Sequence, residues 1–206
     1  MKEDGSTINL PMMRRKAKAY LSLTDHYTAL CLPYSNQAFV MYVLLPHEGV
    51  TTGQLVDSLT PGSFSNMRSM LEQYEVEISI PRFTTIMNID LTNGLKNLGI
   101  RKAFEDAASF PYITTHALKI NQVRQAAKIE VDEQGTKTSA ATVEYMVASN
   151  SEIPVEFHAD RPFVYIIQEQ TSGTVLFIGE YMGETDIGDN YVYASNTCFI
   201  QRNSIW

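Results

Sequence analysis

A chain of 206 residues, 44% hydrophobic and 19% charged, is long enough to bury a core of its own and too apolar to stay disordered. Its 16 basic residues face 23 acidic ones, a formal charge of −7, and form no run or stripe, which argues against nucleic acid as a partner. The longest apolar run, 38–45, falls far short of the roughly 20 residues a membrane-spanning helix needs, and the polar start Met1-Lys2-Glu3-Asp4-Gly5-Ser6-Thr7 does not read as a secretory signal.

Residues 7–13 alternate into Pro11-Met12-Met13, and 18–23, 26–33 and 37–45 are three further β-rich runs. Short polar turns at Thr24-Asp25 and Ser35-Asn36 separate them, a spacing that predicts an antiparallel meander. Pro46-His47-Glu48-Gly49 breaks this pattern, and 51–59 and 63–74 read as two short helices with Thr and Ser residues available as N-caps. Residues 75–83 alternate again, a strand with Pro81 at a bend or an edge. Ile89, Leu91, Leu95 and Leu98 then predict a short amphipathic helix over 88–98 that closes on Gly99.

After a linker over 104–111 the pattern predicts a long strand from about 119 to 133, then strands over 155–158, 163–168 and 175–181. The last two are joined by a hairpin turn at Thr171-Ser172-Gly173. The fold class is α+β, mainly antiparallel strands with a few short helices, in one domain over 1–182. Residues 183–206, rich in Asn, Tyr and Ser without clear period, read as a C-terminal tail.

The chain is organised around 128–143. Lys128-Ile129-Glu130-Val131-Asp132-Glu133 alternates as a half-buried strand and halts at Gly135. The segment that follows, 136–147, holds no Gly, Pro or Asn and consists largely of small or β-compatible residues, unusual for a loop. It has the composition of a strand held outside a sheet. Small side chains would let it enter a crowded sheet later, where Gly would weaken the new strand and Pro would remove a ladder hydrogen bond.

Glu133-Gln134-Gly135-Thr136 followed by Thr138-Ser139-Ala140-Ala141-Thr142 resembles the hinge of the reactive-centre loop of the serpins. Further stretches carry the likeness in order across 4–183. Pro11-Met12-Met13 resembles the end of a serpin strand, and Leu45-Pro46-His47-Glu48-Gly49 resembles a serpin turn. Ile80-Pro81-Arg82-Phe83, Leu95 through Gly99-Ile100 to Phe104, Ala159-Asp160-Arg161-Pro162-Phe163 and Phe177-Ile178-Gly179 are similar to later serpin motifs. Together they are the motifs of the C-terminal half of a serpin domain, with the reactive-centre loop at about 134–152.

The resemblance implies a protease inhibitor in which the loop is bait. A serine or cysteine protease attacks one bond and forms an acyl-enzyme, and loop insertion carries the enzyme away before water hydrolyses the ester. Counting forward from Glu133, and back from the strand at Val155, places that bond at Ser149-Asn150, with Met146, Val147 and Ala148 close by. The small or apolar character of these residues points to an elastase-like or subtilisin-like protease. No Arg or Lys lies between Thr138 and Arg161 for an acidic specificity pocket to grip.

At the hinge, Gly135 suits a turn out of a strand, and Thr136 is small enough to enter a sheet first. By resemblance Glu133 pairs with Arg82 at the top of the large sheet, and an exposed pair of this kind contributes only about 0 to 1 kcal/mol. Gln125 stands where the family often has a His. The strand beside which the loop would insert belongs to the half of the domain that these motifs do not include, which leaves trapping by this chain incomplete. An exposed sheet edge there predicts self-association. The family resemblance also places the protein outside the cell.

Two other functional classes compete with this one. A non-inhibitory serpin-like binding or structural protein, or an inactive fragment, is disfavoured by the small hinge residues. A hydrolase built from dispersed Ser, His and Asp has no elbow, phosphate loop or dinucleotide fingerprint to support it. Neither a metal nor a cofactor is expected, since His26, His47, His116 and His158 are scattered without ligand spacing. Cys31 and Cys198 read as free thiols, Cys31 as a small apolar core residue.

Overall fold

The computed structural model describes residues 9–35, 37–132 and 154–183. They group into two compact units, one made of 9–84 with 130–183 and the other of 85–129. The first unit is built on a seven-stranded sheet of order β7-β4-β1-β2-β3-β8-β9. Its strands are β1 (Met12–Leu23), β2 (Tyr27–Pro33), β3 (Phe39–Pro46), β4 (Glu72–Pro81), β7 (Val155–His158), β8 (Phe163–Glu169) and β9 (Val175–Tyr181). β5 (Phe83–Asp90) and β6 (Arg124–Val131) form a separate two-stranded sheet.

The expected meander is present, with β1, β2 and β3 pairing antiparallel in succession. The runs at 7–13 and 18–23 are not two strands, because Met12 to Leu23 continues as one. Residues 14–17, which fall between those two runs, stay extended because β4 offers a partner along this whole length, from Met12 opposite Pro81 to Leu21 opposite Glu72. The same pairing shortens the second helix. Its last predicted residues, Glu72 to Tyr74, are taken into β4.

Helix α1 (Thr52–Ser58) starts at a capping box between Thr51 and Gln54, and α2 (Pro61–Ser69) at a second one between Thr60 and Ser63 with Pro61 in the first turn. The start predicted at Ser63 is therefore three residues late, since Ser63 is the reciprocal member of the box and not the cap. The two helices bury Leu55, Val56 and Met67 against one face of the sheet, over Tyr27, Ala29, Val40, Tyr42, Leu44, Val164 and Ile166. The Tyr42 ring meets Phe64 edge to face at 5.5 Å. β3 and β8 are buried along almost their whole length, which explains their unbroken apolar sequences.

On the opposite face Phe83 lies at 5.5 Å from Phe163, 5.5 Å from Tyr165 and 5.0 Å from Tyr181, centroid to centroid. Each such pair adds about 0.5–1.5 kcal/mol beyond its area burial. Tyr165 is 1% exposed and stands directly opposite Gly179 on β9, where a β-carbon would overlap its ring. Glycine is needed there for space.

In the second unit the helix predicted over 88–98 begins only at Thr92, as α3 (Thr92–Asn97). Asn88, Ile89 and Asp90 are the end of β5, so Ile89 belongs to the strand and the helical spacing runs only from Leu91 through Leu95 to Leu98. Asp90 Oδ1 accepts the Thr92 amide at 2.9 Å, so this carboxylate marks the true helix start. Gly99 closes the helix with φ of 94°, as its position predicts. The strand expected from 119 begins at Arg124. Residues 119–123 bond elsewhere: Lys119 to Asp106 at 2.6 Å, Ile120 N–H to Ala103 O at 2.8 Å, Gln122 to Asp90 at 2.7 Å and Val123 N–H to Thr92 Oγ1 at 3.0 Å.

At the β8–β9 turn Gly173 takes a positive φ of 74° and Glu169 accepts from the Ser172 hydroxyl and from the Ser172 and Thr171 amides. These bonds, the Ser172 hydroxyl first, hold the Glu169 carboxyl down to about 2. A depressed carboxyl stabilises the fold above the ordinary Glu range, near pH 4, and loses that contribution as pH falls through its folded value. Protection of the Thr171 and Ser172 amides, relative to their intrinsic exchange, is expected at pH 5 and should fall as pH approaches 2. Glu169→Gln should lower that protection at pH 5 and converge with the unsubstituted protein near pH 2, and identical profiles for the two proteins would contradict this role. Gly179→Ala is expected to cost about 1–3 kcal/mol in urea unfolding through overpacking against Tyr165; an unchanged midpoint would show that the ring can move aside.

Candidate functional site

The strand that leads into the segment at 133–153 is β6. Its sequence alternates as expected: Ile129 and Val131 are buried while Lys128 and Glu130 are exposed. Gln125 is on its exposed stretch, and Asp132 bends away at its end. Among the described residues β6 has one neighbouring strand, β5. Glu133, Gly135, Thr136, Thr138, Ser139, Ala140, Ala141, Thr142, Ser149 and Asn150 all lie outside the described residues.

The chain is described again from Pro154 and enters β7, which runs parallel to β4 with Val155 opposite Val76 and His158 opposite Ser79. Phe157, 1% exposed, anchors this four-residue strand. The Ala159 amide extends the pairing with a bond to Ser79 O at 2.8 Å. Arg161 then fixes the following turn, its Nε donating to Pro46 O at 2.8 Å and its Nη1 to Asp160 Oδ1 at 3.0 Å. Beyond it Phe163 joins the aromatic cluster around Phe83. The segment is thus bounded by two strands, each fastened by a buried side chain.

Arg82 sits exposed at the bend between β4 and β5, its amide donating to Pro11 O at 3.1 Å. The preceding Pro81 ends β4 and the following Phe83 is 3% exposed, so the guanidinium projects from a rigid step. Its expected partner Glu133 lies outside the described residues, so the Arg82–Glu133 pair stays an expectation.

Two cavities in the first unit had no signature in the sequence. One, of about 470 Å³, is lined by Arg14, Ser79, His158 and Arg161 among others. The other, of about 610 Å³, lies between α2 and the meander, with Tyr20, Cys31, Tyr42, Ser65 and Arg68 on its walls. These residues are far apart in the chain, and only strand register or helix packing brings them together. Burial pushes the Cys31 thiol up to about 11, with nearby Arg68 acting in the opposite direction. A thiol so placed is a poor nucleophile at neutral pH. In a Cys198→Ser background, iodoacetamide should alkylate Cys31 slowly at pH 7.5 and progressively faster toward pH 11; a rate that levels off by pH 8.5 would overturn that reading.

Comparison with known proteins matches the family model described as Serpin (serine protease inhibitor) to residues 1–183. Similar sequences include Glia-derived nexin from Homo sapiens, 33% identical over 86% of this chain and 46% of that protein. Serpin-Z7 from Hordeum vulgare is 36% identical over 85% of this chain and 46% of that protein. Among solved structures, native protease nexin-1 with heparin superposes with a TM-score of 0.74 at 26% identity, covering 89% of this chain and 50% of that one. The chain therefore spans about half the length of the curated relatives it matches.

Proposed function

The chain belongs to the serpin family, and we propose that, within a complete serpin domain, it is the part that baits and traps a serine or cysteine protease. The single observation that supports this most is β6. It is a well-formed strand with Ile129 and Val131 buried, it has only β5 beside it among the described residues, and it leads directly into the small-residue hinge Thr136, Thr138, Ser139, Ala140, Ala141 and Thr142. A strand with one neighbour, joined to a segment of strand-like composition, is the arrangement that strand addition requires.

In this reading the protease attacks the carbonyl carbon of Ser149, its nucleophile forms an ester or thioester with that residue, and the amine of Asn150 leaves. The inhibitor contributes no catalytic group. It contributes a bond of acceptable side chains, Met146 to Ser149 on its N-terminal side, and a hinge that moves into the sheet once the bond is cut. β7 holds the other side of the cut in place, since Phe157 is buried and its pairing with β4 does not involve the segment. Arg82 supports the hinge through Glu133, and its contribution is to the position of the loop, not to global stability. The preferred target is elastase-like or subtilisin-like, and the site of action is extracellular.

Supplied as part of a complete serpin domain and mixed with an elastase-like protease, the protein should give an adduct that survives SDS, with the new N-terminus at Asn150. Thr138→Asp places a charge that has to enter the sheet and should lower the ratio of adduct to free cleaved product at least tenfold, while cleavage itself continues. Only clean turnover by the unsubstituted protein, with no adduct, would reject the inhibitory reading.

A further inference from the structure

The register of β1, β4 and β7 places Arg14 opposite Ser79 and Ser79 opposite His158. Directly opposed residues on neighbouring strands share a face of the sheet, so these three side chains form one row across three strands. Ser79, 3% exposed, is the floor of that row. After His158 the chain turns, and Arg161, fastened to Pro46 O and to Asp160, reaches the same cavity of about 470 Å³. Leu10, Met12 and Tyr181 supply an apolar part of the wall.

The charges do not balance. Arg14 is exposed, and among the described residues it makes no hydrogen bond or ion pair. In the adjacent row Lys16 is occupied with Glu77 at 3.2 Å, and Glu156 lies 4.0 Å from His158. The one carboxylate on the cavity wall, Asp160, is already engaged by Arg161. Two guanidiniums therefore line a partly apolar cavity of the size that takes small molecules, and the planar fork of a guanidinium matches the oxygens of a tetrahedral anion.

We propose that this cavity binds a tetrahedral oxyanion, the phosphate or sulfate group of a small molecule, with Arg14 as its main contact and Arg161, His158 and Ser79 completing the site. The anion bridges β1, β4 and β7. It thereby pins β7, a four-residue strand whose one neighbouring strand among the described residues is β4.

The test is a titration of the full chain with sodium sulfate at pH 7, with sodium chloride adjusted to keep ionic strength constant, followed by backbone amide shifts. Saturable shifts confined to about 12–16, 77–80 and 157–162 are expected, with slower amide exchange at 155–158. Arg14→Gln should weaken binding at least tenfold. Arg15→Gln removes the same charge from the next residue, which faces the other way, and should leave binding unchanged. Shifts that do not saturate, or equal weakening in the two variants, would reduce the effect to general electrostatics and overturn the site. Competition by glycerol 3-phosphate or by methyl sulfate identifies which ester class supplies the group, and displacement by neither leaves the free inorganic anion as the ligand.

Discussion

The pairing of β1 with β4 is the constraint on which the rest of the first unit depends. Every residue of β4 has a partner on β1. That ladder keeps the charged stretch from Arg14 to Lys16 extended and limits α2 to Pro61–Ser69 by claiming the residues that follow it. At one end it delivers Pro81, Arg82 and Phe83 to a bend beside Pro11, and along its other side β4 offers the only partner of β7 among the described residues. The far anchor of the 133–153 segment and the position of Arg82 therefore depend on the same set of backbone hydrogen bonds. Their individual net contributions are modest, about 1 kcal/mol each, so register here comes from the apolar face as much as from the bonds. A slip of one residue would expose Val76, Ile78 and Ile80 together.

Around that ladder the two faces of the sheet are stabilised differently. One is covered by two short helices, each begun by a capping box, so few residues suffice to place Leu55, Val56 and Met67. On the other, three aromatic rings meet around Phe83, two of them on β8, and the fit is close enough that Gly179 cannot carry a side chain. Phe83 directly follows Arg82. A guanidinium whose neighbour is locked in an aromatic cluster is restricted in where it can reach.

Much of this was legible in the sequence, for identifiable reasons. β2, β3, β7, β8 and β9 carry alternating or continuous apolar runs bounded by turn residues, and Gly99 and Gly173 mark backbone conformations that other residues resist. The errors have physical causes too. Residues 14–17 and 72–74 carry charge and weak local preference, and long-range pairing overrode both. Leu91, Leu95 and Leu98 have helical spacing but Ile89 and Leu91, two apart, do not, and the decisive signal was the carboxylate of Asp90 two residues before Thr92. Residues 119–122 have strand-like composition but spend their polar groups on Asp106, Ala103 and Asp90. The family was legible in the composition of 133–153 and in the order of the motifs that flank it. The row of Arg14, Ser79 and His158 was not, because no local pattern encodes which residues of β1, β4 and β7 end up abreast.

In the proposed mechanism β6, which has one neighbouring strand among the described residues, is the start of a sheet that the 134–152 segment enters after it is cut. Small hinge residues matter only if they are destined for a crowded interior. The most direct measurement is the thermal unfolding of the complete serpin domain containing this chain, before and after a protease nicks the segment at Ser149-Asn150. The account predicts a melting temperature well above that of the intact form, because the freed segment becomes a new strand beside β6. An unchanged or lower melting temperature after a verified cut would contradict it.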